Sequence, residues 1–304
     1  MAFVLRRLVQ ALLTVFLTLT VVFILAHLSG NPVALYLPVT ASTEQVHAME
    51  HLLGFDRPIY VQYAAYLWSA AHGDLGTSFS QNLPALQLVL ERLPNTLYIT
   101  LFALVMMIAV AIPFGIVAAT RSGSAADFLG SGVAVFGQSV PVFWLGLVLV
   151  LVFAVRLRWF PTFGSGGLSH IVLPGVTLGA YSMGVVTRLV RSSMLEVFQA
   201  DFLRTARAKG LPHLRVTLKH ALPNAILPAL TMIGLQVAYL LGGAVVTEQV
   251  FAYPGMGQLA LQAINSRDFN VVQAFVIVVA AITVLVNTTT DITYGWIDPR
   301  VTYE

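Results

Sequence analysis

The sequence lacks cysteine altogether and contains few charged residues. The absence of cysteine excludes disulfides, thiolate nucleophiles and sulfur-rich metal sites. Charged residues make up 10% of the 304 residues and apolar residues 58%, and the mean hydropathy is +0.83. A soluble domain averages about 25% charged and about 45–50% apolar residues. The composition therefore excludes an ordinary soluble domain and predicts an all-α protein that spans a membrane several times.

A phosphate-binding loop is also missing. The pattern Gly-x-x-x-x-Gly-Lys-Ser/Thr does not occur anywhere in the sequence, so the chain has no Walker-type loop for ATP. An ATP-driven process that involves this chain would need a second polypeptide for the hydrolysis.

Long uncharged stretches, by contrast, are abundant. A hydrocarbon core of about 30 Å needs about 20 mostly apolar helical residues. Six stretches of about this size are present, at residues 8–28, 96–119, 129–155, 171–187, 225–247 and 271–290. The first follows Arg6 and Arg7, as a signal peptide would, but it is long for one and lacks a small-residue cleavage site. We interpret it as a retained span, which makes six predicted spans.

The distribution of lysine and arginine predicts the orientation of these spans. Six spans place both termini on one side, and if that side is cytoplasmic, eleven of the sixteen Lys and Arg residues lie inside. Positive residues accumulate in the cytoplasmic segments of membrane proteins. The prediction is a cytoplasmic N-terminus and first span in residues 1–28, a periplasmic segment in residues 29–95, and a five-span core in residues 96–304. A cytoplasmic loop over residues 188–224 belongs to that core.

The cations are concentrated in the stretch from residue 201 to 228, whose signals predict a short helix, a stop and a second helix. Asp201 favours a helix N-terminus, and Lys209 complements the dipole at a C-terminus. Gly210 supplies a left-handed residue, and Pro212 suits the first position of the next helix.

The first of these helices is amphipathic. Phe202, Leu203 and Ala206 share one side at helical spacing, whereas Arg204 and Arg207 lie on another. Two functions fit such a helix: an anchor on anionic lipid headgroups, or a helix that is received by a groove on a cytosolic partner. Nucleic-acid binding fits poorly, because no aromatic residues alternate with the cations and the loop is tethered to the bilayer at both ends.

The order of short motifs along the chain resembles a known family. The basic loop contains TARAKG at 205–210, followed by HALPNA at 220–225 and LP at 227–228. Further motifs stand in the same order over nearly the whole chain: GDLGTSF (73–79), RLPNTL (92–97), QSVPVFWLG (138–146), WFP (159–161), RLVRSSMLE (188–196), LGGAVVTEQVF (241–251), PGMG (254–257), RDFNVVQ (267–273) and DPR (298–300). The chain thereby resembles the permease subunits of ABC importers, in the dipeptide, oligopeptide and nickel branch, and among them the first-position permease of the pair.

The resemblance implies a type I ABC-importer permease-like fold with six transmembrane helices. It identifies the basic helix as the coupling helix that an ATPase subunit engages, with the residues Asp201, Arg204, Thr205, Ala206, Arg207, Ala208, Lys209 and Gly210. It also implies a second homologous permease, two ATPase subunits, a periplasmic solute-binding protein and a place in the bacterial inner membrane. No catalytic residue, cofactor or metal is expected on this chain. The cargo stays open among dipeptides, longer peptides, glutathione, nickel chelates and sugars.

A translocation pathway should be lined by polar groups that would be costly against lipid. Spans three and five offer four such residues, Gln138, Ser139, Gln236 and Tyr239. Pro141 and the pair Gly242-Gly243 follow them and predict a break or kink in each span. The alternative is that the polar side chains join neighbouring helices and the glycines permit close packing.

Two other function classes compete with a permease. Residues 47–51 match the H-x-x-E-H pattern of zinc proteases, with two histidines as ligands and Glu50 as base. Ser42 and Gln45, however, form the pattern of a capping box, which predicts an ordinary helix on the outer surface. An ion-coupled secondary transporter would need a charged site within the membrane, and all six stretches are uncharged.

Aromatic residues recur at near-helical spacing in the predicted outer segment, at Tyr60, Tyr63, Tyr66 and Trp68. They suit an aromatic belt at the membrane interface. Docking of a periplasmic binding protein is the alternative interpretation.

Overall fold

The structure, a computed structural model, describes residues 2–28, 37 and 42–297. The helices are α1 (Ala2–Leu28), α2 (Thr43–Leu53), α3 (Ile59–Ala71), α4 (Ala85–Thr120), α5 (Ala125–Ser139), α6 (Val142–Leu149), α7 (Leu168–Val197), α8 (Asp201–Ala208), α9 (His213–Arg215), α10 (Leu222–Ala225), α11 (Leu227–Val250), α12 (Met256–Asn265) and α13 (Phe269–Ile297). Two π-helical turns, Val150–Arg156 and Val216–Ala221, directly follow α6 and α9. The all-α prediction is confirmed for this part of the chain. The DPR motif at 298–300 lies outside the described residues.

Every predicted span falls in a helical segment. Four helices, α4, α7, α11 and α13, are long and apolar enough to cross a membrane. The bent pair of α5 and α6 counts as a fifth span if its two helices together cross the membrane once, and α1 contributes a shorter apolar stretch at Leu12–Leu25. The multi-pass architecture is thus confirmed, whereas length and composition support up to five of the six spans.

Helix α4 begins earlier than the apolar pattern predicts. It starts at Ala85, eleven residues before the uncharged run at 96–119. These residues include four leucines together with Gln87, Glu91 and Arg92, all of which favour helix, although the last three do not suit a hydrocarbon core. The end of the predicted outer segment is therefore the first part of a long helix.

The third predicted span breaks at the proline that the sequence indicates. Helix α5 ends at Ser139, Val140 is extended, and the chain resumes as α6 after Pro141 with a bend of 108°. The residue before a proline avoids the helical region, and proline has no N–H to continue the hydrogen-bond ladder. The predicted break at Pro141 is confirmed.

The predicted break at Gly242-Gly243 is wrong, because α11 is continuous through both glycines. Glycine keeps its N–H, and in a helix it costs only about 1 kcal/mol relative to alanine. A Cβ atom at Gly243 would lie 3.0 Å from Leu178 Cδ1. This glycine therefore permits close packing of α11 against α7.

Packing divides the chain into two compact units. The first comprises residues 1–94 and 254–284, and the second comprises residues 95–253 and 285–304. Two of the three boundaries fall inside α4 and α13, so each of these helices contributes to both units, and the third falls between α11 and α12. The predicted division at residues 28 and 95 concerns the sides of the membrane and stays a prediction.

In the first unit, buried polar contacts fix the loops between helices. Ser42 forms the predicted capping box with Gln45 at the start of α2. Asp268 is fully buried, and its carboxylate accepts hydrogen bonds from Ser78 Oγ at 2.5 Å and Ser80 Oγ at 3.0 Å. These bonds tie the loop after α3 to the residue that precedes α13.

In the second unit, α5 packs closely on α7. A Cβ atom at Gly184 would overlap the carbonyl oxygen of Ala134, and one at Gly137 would lie 2.9 Å from the carbonyl oxygen of Ala180. The two glycines therefore let the backbones approach as small residues do in membrane helix pairs.

Candidate functional site

Helix α8 is docked on the core of the second unit by two side chains. Leu203 is fully buried and Ala206 is 8% exposed, and both belong to one buried cluster with Val190 and Met194 of α7. Their spacing of three residues places them on one face of α8. A force applied to α8 would therefore reach α7 through direct side-chain packing.

The other predicted coupling residues are accessible. The exposed set is Asp201, Arg204, Thr205, Arg207, Ala208, Lys209 and Gly210. Arg204 pairs with Asp201 at 3.4 Å, but both side chains are largely in solvent, so the pair contributes at most about 1 kcal/mol. Phe202, predicted on the apolar side with Leu203 and Ala206, is 48% exposed. The accessible face thus combines cations with an apolar ring.

Arg207 is positioned by an aromatic neighbour. Its guanidinium carbon lies 6.0 Å from the ring centroid of Phe198, in the segment between α7 and α8. A cation–π contact at this distance is favourable. Arg207 is therefore directed over the start of α8 while staying exposed.

The ends of α8 lie within one residue of the prediction. Ala200 is the N-cap and Asp201 is the first helical residue. Gly210 has the predicted left-handed conformation, with φ +74°, and a Cβ atom there would meet nothing within 4 Å. Only the backbone angle therefore requires glycine at this position. Pro212 is the N-cap of α9 and not its first residue.

An ion pair joins α5 to the same part of α7. Arg191 Nε donates to Asp127 Oδ1 at 2.6 Å, and Arg191 Nη2 donates to Oδ2 at 2.8 Å. The backbone N–H of Gly123 and the hydroxyl of Ser131 donate to the same carboxylate at 3.0 and 3.3 Å. Such two-point pairing fixes geometry as well as charge.

Of the four predicted pathway residues, two glutamines join helices. Gln236 is 7% exposed and accepts a hydrogen bond from Ser182 Oγ at 2.8 Å, which connects α11 to α7. Gln138 accepts a hydrogen bond from Arg188 Nη2, and its own Nε2 is enclosed without a partner in the described part of the chain. Both contacts have the form of the helix-joining alternative.

The other two pathway residues are accessible. Ser139 donates to the carbonyl of Val135 one turn earlier, at 2.9 Å, and is exposed at the end of α5. Tyr239 is 43% exposed, and its ring stacks on that of Tyr181 with centroids 4.9 Å apart. The two tyrosines form an aromatic surface shared by α7 and α11.

The two histidines of the H-x-x-E-H stretch lie beside acids that are close to them in the sequence. His47 Nδ1 lies 3.1 Å from Glu50 Oε2, and His51 Nε2 lies 3.9 Å from Asp56 Oδ2. The two histidine side chains are 80% and 83% exposed. No group of three or more His, Asp or Glu side chains that could hold a metal ion occurs among the described residues.

Comparison with known proteins decides between the function classes. The family model described as "Binding-protein-dependent transport system inner membrane component" matches residues 111–303. The corresponding model for the N-terminal part, "Binding-prot-dependent transport system membrane comp, N-term", matches residues 1–100. The chain belongs to this family. It is a permease subunit of an ABC importer and not an enzyme, so ATP hydrolysis takes place on separate subunits.

Relatives of the permease cover its full length. It is 39% identical to the dipeptide transport system permease protein DppB of Alkalihalophilus pseudofirmus over 100% of both chains. It is 37% identical to the glutathione transport system permease protein GsiC of Escherichia coli strain K12 over 99% of both chains. The zinc-protease and secondary-transporter interpretations are therefore wrong.

A solved structure supports the fold. The permease resembles a chain of the MetNI methionine ABC transporter in an inward-facing conformation, with a TM-score of 0.59 and 18% identity over 70% of this chain and 97% of the other. This likeness confirms the predicted type I importer fold over the part of the chain that it covers.

Within the described residues, three buried acids were not predicted from the sequence. They are Asp127, Glu248 and Asp268. Glu248 is fully buried and accepts a hydrogen bond from Thr96 Oγ1 at 2.5 Å. In each case the partner is far away in the sequence, so spacing gives no signal. The only available sign is a lone acid beside a long apolar run.

Proposed function

We propose that this permease carries short peptides or peptide-like solutes into the cytoplasm, and that α8 is the helix through which an ATPase subunit drives it. The observation that carries the proposal is the two-sided structure of α8. Leu203 and Ala206 are buried in the core, while Arg204 and Arg207 are exposed for a partner. The cargo class rests on relatives that are named for dipeptide and glutathione transport.

The connections of α8 support a mechanical role. The buried cluster that contains Leu203 also contains Met194 of α7 and Val216 of the π-helical turn. That turn leads through α10 into α11. Movement of α8 would therefore be passed to two spanning helices, on one side by packing and on the other by the chain itself.

The assembly proposed around this chain contains four further subunits. A second, homologous permease would complete the translocation pathway, two ATPase subunits would engage the coupling helices, and a periplasmic binding protein would deliver the solute. The family description supports a bacterial inner membrane location, and the Lys and Arg distribution supports a cytoplasmic position of both termini. The pathway is more readily lined by accessible side chains than by the hydrogen-bonded Gln138 and Gln236. The accessible ones are Ser139 and Tyr239, whose ring stacks on Tyr181.

The coupling role is tested with Gly210→Val and Arg207→Glu. Valine at φ +74° costs about 1–3 kcal/mol, so the turn after α8 should be reset and the helix presented at a changed angle. Reversal of the Arg207 charge acts on the same contact without touching the backbone. We expect both variants to reach the membrane and to lose most of the ATPase stimulation by the binding protein, as measured in reconstituted transporter.

Gly164→Val is the matched control. Gly164 also has a positive φ, +84°, and a Cβ atom there would likewise meet nothing within 4 Å, but it lies between α6 and α7 and away from α8 in the sequence. It should keep normal stimulation. If α8 were only a headgroup anchor, one lost cation would cost about 1 kcal/mol and Gly210→Val would behave as wild type. Normal stimulation and uptake in both test variants would contradict the proposal.

A further inference from the structure

A cavity of about 310 Å³ lies in the first unit of the permease. It is bordered by the last turns of α1, by α3 and the loops on either side of it, and by the first turns of α13. Its apolar wall is formed by Phe23, Phe55, Val61, Leu75, Phe79 and Phe269. Ligand pockets begin at about 300 Å³, so the cavity has room for a small solute. None of the predicted coupling or pathway residues borders it.

Two opposite charges border the cavity. Arg57 and Asp74 both line it, both are exposed, and neither forms an ion pair with another described residue. Gln62 Nε2 donates to the carbonyl of Arg57 at 2.8 Å, and Asp74 Oδ1 accepts from the N–H of Gly76 at 2.9 Å. The backbone of Arg57 and the carboxylate of Asp74 are thus held in place, while Arg57 keeps its guanidinium available.

Two residues that line the cavity have polar groups with unused hydrogen-bonding capacity. Gln273 is 8% exposed and lines the cavity, yet its amide makes no hydrogen bond to any described residue. The hydroxyl of Tyr66 is enclosed and likewise lacks a partner in that part of the chain. Burial, followed by the neighbouring Tyr63 phenol, raises the pKa of Tyr66 to about 12, so its hydroxyl stays a donor at neutral pH. Buried polar groups normally have partners, and a bound ligand would supply one to the amide of Gln273.

The wall of the cavity is preformed. Asn270 Nδ2 donates to the carbonyl of Thr77 at 2.7 Å, which holds the loop after α3 against α13. Gly76 has φ +80°, and a Cβ atom there would lie 2.8 Å from Asn270 Nδ2. The contact between loop and helix therefore depends on glycine. Together with the buried carboxylate of Asp268, these bonds fix the site before a ligand arrives, which lowers the entropic cost of binding.

We propose that this cavity binds a short zwitterionic peptide, with its carboxylate on Arg57, its ammonium group on Asp74 and an apolar side chain among the phenylalanines. An arginine fork matches a carboxylate in two-point geometry. Opposite charges beside an apolar interior select a molecule that carries both an ammonium group and a carboxylate and has an apolar side chain. The identity of the solute as a peptide rests on the proposed function, whereas the preference for a zwitterion rests on the cavity alone.

The test is equilibrium binding of alanylphenylalanine to the assembled transporter without binding protein or ATP. The transporter is placed in phosphatidylglycerol nanodiscs, which contain no zwitterionic lipid, and titrated calorimetrically. We expect saturable binding that Arg57→Gln and Asp74→Asn each weaken about tenfold, the loss expected for one charged hydrogen-bonding partner. Arg156→Gln removes an exposed cation that does not line the cavity and should leave the affinity unchanged. Unchanged thermal midpoints establish that the variants are folded.

The C-terminal amide of the same dipeptide tests whether the carboxylate binds Arg57. In wild type it should bind about tenfold more weakly than the acid, and in Arg57→Gln the acid and the amide should bind equally. Absence of saturable binding, or equal affinity of wild type and Arg57→Gln for the acid, would overturn the proposal. A phosphatidylethanolamine headgroup carries the same pair of charges. Arg57-dependent retention of that lipid, with no binding of the dipeptide, would assign the cavity to lipid and overturn the peptide assignment.

The binding and uptake measurements distinguish failure of the cavity proposal from failure of the proposed function. ATP-driven uptake with no Arg57-dependent binding would remove the cavity proposal and leave the function intact. Arg57-dependent binding in a transporter that shows no ATP-driven uptake of peptides would support the cavity proposal and contradict the proposed function.

Discussion

At the scale of the residue, the link between Asp127 and Arg191 shows what a buried charge requires. The Asp127 side chain is 9% exposed and receives four hydrogen bonds, two of them from one guanidinium. An acid this enclosed is stable only when it is paired. The arrangement also makes the pair sensitive to substitutions that conserve only the shape or only the charge of a side chain.

We expect Asp127→Asn and Arg191→Lys each to lower the thermal unfolding midpoint of the purified permease. The asparagine leaves the Arg191 charge without its counterion, and a lysine ammonium cannot bridge both carboxylate oxygens as the guanidinium does. The measurement is scanning fluorimetry in detergent. Asp201→Asn is the control, because its pair with Arg204 is weak and its side chain is 93% exposed. A fall in the control as large as that in Asp127→Asn, or no fall in either test variant, would contradict this expectation.

At the scale of the element, glycines differ by what their missing Cβ would meet. Gly184 faces the carbonyl of Ala134 across the contact between α5 and α7, whereas a Cβ atom at Gly242 would meet nothing within 4 Å. Gly184→Ala should therefore destabilise the permease by about 1–3 kcal/mol through overpacking. Gly242→Ala should be neutral or stabilising by up to about 1 kcal/mol, since it removes a flexible residue from a helix interior.

Thermal midpoints of these two variants, measured side by side, check the expectation. They share one chemical change in two membrane helices, so a general effect of the added methyl group would move both midpoints together. Equal midpoints for Gly184→Ala and wild type would show that α5 can move away from α7 at no cost.

The sequence predicts elements well where composition alone selects them. The apolar runs correspond to helices because only helices satisfy backbone polar groups within lipid, and Pro141 ends α5 because proline has no N–H. The exact cap of α8 and the continuity of α11 through Gly242-Gly243 are decided by tertiary packing, which outweighs a local preference of about 1 kcal/mol. The π-helical turns have no residue signature comparable to proline or glycine.

The candidate site likewise combines features that the local sequence predicts with features that it does not predict. The accessible cations of α8 and the left-handed Gly210 follow from local pattern, because each is a property of a few consecutive residues. The Gln236 bond to Ser182 and the cavity between Arg57 and Asp74 join segments that are distant in the sequence or in different elements. The spacing of residues along one sequence does not indicate which distant residues come into contact.

At the scale of the whole molecule, the absence of cysteine makes orientation directly measurable. Single cysteines at Glu44 in α2 and Ser192 in α7 would occupy exposed positions. The predicted topology places the first outside and the second inside, so an impermeant maleimide added to whole cells should label only Glu44→Cys. Ser78 is unsuitable as an outer site, because it is 2% exposed and bonded to Asp268.

Permeabilised cells provide the control, since both cysteines should then react. Labelling of Ser192→Cys but not Glu44→Cys in intact cells would show that the orientation is the opposite of the predicted one. Labelling of both only after permeabilisation would show that residues 29–95 are not outside.

The π-helical turn at Val216–Ala221 adds a different kind of motion to the junction between α8 and α11. A π-helical turn contains one surplus residue relative to an α-helix, and each α-helical residue accounts for about 100° of rotation and 1.5 Å of rise. If the surplus residue shifted by one position along the chain, the helical segment on one side of the π-helical turn would rotate and translate about its axis without a break in the chain. The junction could therefore convert a push on α8 into a change in which side chains α11 turns toward its neighbours.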